Sequence, residues 1–75
     1  MNKLHQELHL RVFDMTKGEG RTTIQEPTLK DIELALSKVG KTTGDIPSFD
    51  TGTSLFNQSE ETKEKLLTVL TNKTH

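Results

Sequence analysis

Three places in the sequence carry side chains whose type and spacing bear on chemistry: Asp50 in the run Asp50-Thr51-Gly52-Thr53-Ser54, the pair His5 and His9, and Gly18-Glu19-Gly20. An aspartate that hydrolyses an amide needs a second carboxylate sharing its proton, so that one activates water while the other protonates the carbonyl. His5 and His9 share a face on a helix, and their even spacing also puts them on one face of a strand. A zinc ion wants four ligands, usually at least three of them from protein. Glu7 joins the histidines only on a strand, and His75 sits at the far end of the chain. The pair therefore reads as exposed histidines, with no metal and no cofactor expected. Gly18-Glu19-Gly20 lacks the further glycine and the Lys-Ser/Thr of a phosphate loop, and reads as a hairpin tip. No serine lies in a recognisable elbow beside a base held by a third group.

The five residues from Asp50 to Ser54 resemble the signature around the catalytic aspartate of pepsin-like proteases. That resemblance implies an Asp50 carboxylate held by the following Thr and Gly at a tight turn between strands. In a chain with a single motif it also implies a homodimer, as in the retroviral proteases, with one Asp50 from each copy. The surroundings depart from that pattern. Gly44 and Pro47 stand where an apolar strand is needed, no glycine-rich flap follows, and the chain after Ser54 reads as helical. Asp50-Thr51-Gly52 is then a turn, because Asp bonds nearby backbone and Gly accepts positive φ. The chain reads as a non-enzyme, with a homodimeric aspartic-type hydrolase using Asp50 as the alternative.

Composition narrows the remaining classes. Seventy-five residues make one small domain, 1–75, and only 29% of them are hydrophobic, with three Phe and no Trp, Tyr or Cys. Without disulfides or thiolate zinc, a thin core gains most from a partner or from self-association. The formal net charge of −1 lacks the basic excess of a nucleic-acid binder. Apolar runs are too short to span a membrane, and the amino terminus has no continuous apolar segment of a signal peptide, so the cytoplasm is the expected location.

The elements that must position these residues are legible to different degrees. Leu8, Leu10 and Val12 alternate with His9, Arg11 and Phe13, the period of a strand, while Leu4, Leu8, Val12 and Met15 fall on one helical face. The glycines of residues 16–20 and the β-branched run at 21–26 decide for a hairpin. Pro27 ends it, Thr28 and Asp31 form an approximate capping box, and the spacing predicts a helix over 29–39 burying Leu29, Ile32, Leu36 and Val39 before Gly40 stops it. Residues 41–58 form a long loop that partly packs down, with a helical turn or short strand near Leu55. Ser59 caps a last helix with Glu60 and Glu61 in its first turn, Leu66, Val69 and Leu70 as its stripe, Leu67 alongside, and Lys73 near its end.

The expected fold class is therefore α+β, a small β-hairpin followed by two helices joined by a long loop. The alternative is an all-α three-helix bundle. Phe49, Leu55 and Phe56 are large apolar residues in a polar loop with no periodicity to place them in a core, and they are the candidate partner-binding residues. The expected function is a small non-enzymatic protein–protein interaction or regulatory module, of the kind found as bacterial or phage accessory proteins. Its expected partner is another protein or a second copy of the chain.

Overall fold

The computed structural model describes residues 3–23 and 25–71. These residues form three α-helices, α1 (Lys3–Thr16), α2 (Leu29–Lys38) and α3 (Glu60–Thr71), with single 3-10 turns at Lys17–Glu19, Thr43–Asp45 and Leu55–Asn57. Among the described residues there is no strand, so the α+β expectation with its hairpin is overturned and the three-helix alternative is the observed fold. The expected return strand includes Ile24, which lies outside the described residues, as do Lys73 and His75.

The physical reason lies in the stripe along α1. Leu8 and Val12 are fully buried, and the same face continues to His5 and Thr16, giving a period of three and four residues. Leu10, which would share a strand face with Leu8, is 45% exposed. An isolated two-stranded hairpin is marginal in water. A helix instead packs Leu8 and Val12 with Leu66 and Leu70 in a core that also holds Ile32, Ala35, Leu36, Ile46 and Leu55. Thr16 is tolerated inside because its hydroxyl donates to the Val12 carbonyl at 2.8 Å. The chain then winds through the 3-10 turn and leaves at Gly20, whose φ of 102° suits glycine. The glycines end a helix; they do not turn a hairpin.

Among the described residues of the connection from α1 to α2, 21–23 and 25–28, there is no ladder, and Arg21 ties the connection to both helices. Its guanidinium donates to Asp31 at the start of α2 and to the Gln25 carbonyl, and it lies 5.7 Å from the Phe13 ring centroid of α1. One side chain thus joins both helices and the linker.

The α2 helix matches its expected span within a residue. Thr28 and Asp31 complete the capping box, with Thr28 N donating to Asp31 Oδ2 at 3.0 Å and Asp31 N donating to Thr28 Oγ1 at 3.3 Å. At the other end Gly40 has φ 75°, and Lys41 N reaches back to the Leu36 carbonyl at 2.9 Å, a Schellman closure. Ile32 and Leu36 are buried as expected, together with Ala35. Two expected core residues need correction: Leu29 is 36% exposed and Val39 is only partly buried.

Residues 41–58 pack down through Ile46 and Leu55, which are 3% and 0% exposed. A second capping box, Thr42 with Asp45, shapes the turn before Ile46. Ser59 then caps α3, its hydroxyl accepting from Thr62 N at 3.2 Å, with Glu60 and Glu61 in the first turn where negative charge complements the helix dipole. Leu66 and Leu70 are buried, and Leu67 and Val69 pack against them. The α1 helix packs on both α2 and α3, more extensively on α3. No helix among the described residues is long and apolar enough to cross a membrane.

Candidate functional site

Asp50 heads a turn. Its carboxylate accepts from Gly52 N at 2.9 Å and from Thr53 Oγ1 at 2.7 Å, and Thr53 N donates to the Asp50 carbonyl at 3.2 Å. The hydroxyl of Thr53, and then the amide of Gly52, hold the carboxyl below the usual aspartate range. Of two carboxylates sharing a proton, one is pushed the other way. The turn is anchored from below by Gln58, 6% exposed, whose amide donates to the Asp50 carbonyl at 2.6 Å and the Thr53 carbonyl at 3.2 Å while its oxygen accepts from Asp50 N at 3.1 Å. The Asp-Thr-Gly-Thr string therefore bonds to itself. Its partners are the donors a turn supplies.

The three apolar loop residues separate by role. Leu55 is fully buried in the core, Phe49 packs against that core while partly exposed, and Phe56 is 57% exposed. The Phe56 ring stands edge-on to His5 with centroids 5.1 Å apart and receives the Lys63 ammonium at 5.6 Å. A cleft of about 380 Å³ has Leu29, Ile32, Phe49 and Leu55 among its lining residues, together with Glu26 and residues 51–54 of the Asp50 turn. Glu26 connects the two features, because its carboxylate also meets His5 at 3.2 Å. Glu26 and His5 thus form a chain of contacts from the cleft, which Leu29 lines, to Phe56. A second, more open groove runs between α1 and α3, where Leu10 and Leu67 are surrounded by Glu7, Arg11 and Asp14.

The histidines differ most from expectation. His5 is fully buried, against the reading of both histidines as exposed, and the His9 side chain is only 15% exposed. The α1 helix turns both toward the linker, where Glu26 lies between them: His5 Nε2 is 3.2 Å and His9 Nδ1 4.0 Å from Glu26 Oε1. His9 Nε2 meets the Gln25 carbonyl at 2.6 Å. A carbonyl oxygen only accepts, so His9 Nε2 carries a proton. One ligand atom from each of His5, His9 and Glu26 falls within 4.8 Å of the others.

Sequence reasoning missed Glu26 as the third member. It is 21 residues from His5, and only the path of the linker over α1 brings them together. Glu7, the acid considered instead, lines the groove between α1 and α3. The chain matches no protein-family model, no curated protein and no solved structure.

Proposed function

We propose that this chain is a small non-enzymatic protein-interaction module, an accessory or regulatory domain of the cytoplasm, that meets its partner through the face carrying Phe56 and the neighbouring cleft. The observation that carries the reading is the exposure of Phe56, 57%, beside a cleft walled by Phe49 and floored by Leu55 and Ile32. A large aromatic left in water next to an apolar depression is the composition of an interface anchor. The groove between α1 and α3 is a weaker choice, because charged side chains ring its apolar residues.

The partner this face fits is a second copy of the chain. An exposed Phe56 and a cleft lined by its chain neighbour Leu55 offer an aromatic knob and a hole on one chain, which a two-fold contact can pair. A chain with so few apolar residues also gains much from covering them. The setting of Asp50 supports this reading over a hydrolase, since among the described residues its turn lies between helices and lacks the flanking strands that the protease resemblance implies.

Sedimentation equilibrium over a wide concentration range tests it. The expected result is reversible self-association, weakened at least about tenfold by Phe56→Ser, as for loss of an interface anchor of about 1.4 kcal/mol or more. The helical circular dichroism of the variant should be unchanged. A wild-type chain that stays monomeric throughout, or association indifferent to Phe56→Ser, would refute this face as a self-association surface.

A further inference from the structure

We propose that His5, His9 and Glu26 form a binding site for a divalent transition-metal ion, with zinc the best fit, closing the linker onto α1. This site borders the proposed interaction face, since His5 touches Phe56 and Glu26 lines the cleft, but it does not require self-association. The donor set, its spacing and the orientation of His9 carry it.

Two imidazole nitrogens and one carboxylate oxygen make a set that suits zinc and its first-row neighbours, whereas calcium and magnesium prefer all-oxygen sites. Zinc bonds of about 2.0–2.2 Å in tetrahedral geometry put neighbouring ligand atoms roughly 3.3 Å apart. His5 Nε2 and Glu26 Oε1, at 3.2 Å, already have that separation. His9 Nδ1, 4.0 Å from the same oxygen, is the atom that must close in. Glu26 has the freedom to accommodate it, since its side chain is 36% exposed and sits on a linker, not a helix.

The orientation of His9 is the second observation. Its Nε2–H is held by the Gln25 carbonyl at 2.6 Å, which leaves Nδ1 as the ring nitrogen on the Glu26 side, 4.0 Å from Oε1. A cation bound there takes Nδ1 and the Glu26 carboxylate as ligands. A backbone carbonyl that fixes the ring tautomer from behind is the usual outer support of a metal-ligating histidine. The same carbonyl is tied by Arg21, which fixes the linker in place.

The remaining coordination position is left to water or an exogenous ligand. The helix does not carry the His-Glu-x-x-His arrangement of zinc proteases, however. In the sequence His5-Gln6-Glu7-Leu8-His9 the residue after the first histidine is Gln6, and Glu7 lines the groove between α1 and α3. The consequence is structural: an ion on His5, His9 and Glu26 joins α1 to residues 25–27 and stabilises the folded chain.

The test uses the full chain and two probes, zinc titrated calorimetrically and cobalt(II) followed by its visible ligand-field bands. The wild type should bind one ion per chain, show the intense bands of a low-coordinate nitrogen–oxygen site, and melt at higher temperature with zinc. Glu26→Gln keeps the side-chain shape and a hydrogen-bonding group for His5, and His9→Ala removes a partly exposed ring. Each should weaken binding on the order of 100-fold or more, since even outer-support changes cost 10–100-fold. His75→Ala, the remaining histidine, should leave affinity unchanged. Absence of stoichiometric binding by the wild type would overturn the proposal. So would wild-type affinity in Glu26→Gln and His9→Ala, or loss of binding in His75→Ala alone.

Discussion

Gln58 is the side chain on which the order of the Asp50 turn depends, and Gln58→Ala should show it. The residue is 6% exposed and makes three hydrogen bonds to the backbone of Asp50 and Thr53, at 2.6, 3.1 and 3.2 Å. Each is worth about 0.5–1.5 kcal/mol net, which gives an upper bound near 4.5 kcal/mol for all three. Asp50 is itself exposed, so water replaces part of what is lost. The expected destabilisation is about 1.5–3 kcal/mol, a fall in Tm of roughly 6–20 °C for a domain of this size. Urea unfolding followed by circular dichroism reads the free energy. Gln58→Glu sharpens the test, because a carboxylate has no proton to give and faces the two carbonyl oxygens. It should cost more than alanine at neutral pH. A loss below about 0.5 kcal/mol in Gln58→Ala would refute the anchoring role.

Ile32→Ala should cost about 2–5 kcal/mol, because Ile32 is 2% exposed, whereas Leu29→Ala at a 36% exposed rim position should cost under about 1 kcal/mol; parallel denaturant titrations compare them. The Asp50 carboxyl carbon should titrate below the ordinary ~3.9, and Thr53→Val should move it back up. With the folded pKa depressed, this group's contribution to stability is present above its unfolded pKa and disappears as pH falls through the folded one. A carbon-detected NMR titration with its midpoint above the ordinary value would revive a pair of carboxylates.

How far the fold can be read from the chain depends on which physical signals coincide. For α2 they coincide: Thr28 and Asp31 cap it, Ile32 and Leu36 share a face, and Gly40 closes it, so its position is legible. For α1 they conflict. Leu8, Leu10 and Val12 satisfy a period of two, and Leu8 with Val12 also satisfies a helical period; only burial against α3 decides between them. Its stripe is further disguised by His5 and Thr16, polar residues that become core through contacts far away or by bonding back to the helix. Lys63 is a similar case, buried on α3 with its ammonium directed at Phe56. The Asp50 turn is legible because its bonds are local. The cluster of His5, His9 and Glu26 is not, because no local pattern announces that a linker will cross a helix.

The proposed interaction face is tested most directly by a dilution series of amide nitrogen–proton correlation spectra on the isotope-labelled chain. Concentration-dependent shifts should concentrate in residues 26–29 and 49–56, around the cleft and Phe56. Shifts confined instead to the groove of Leu10, Arg11, Asp14 and Leu67, or spectra unchanged at every concentration, would contradict it.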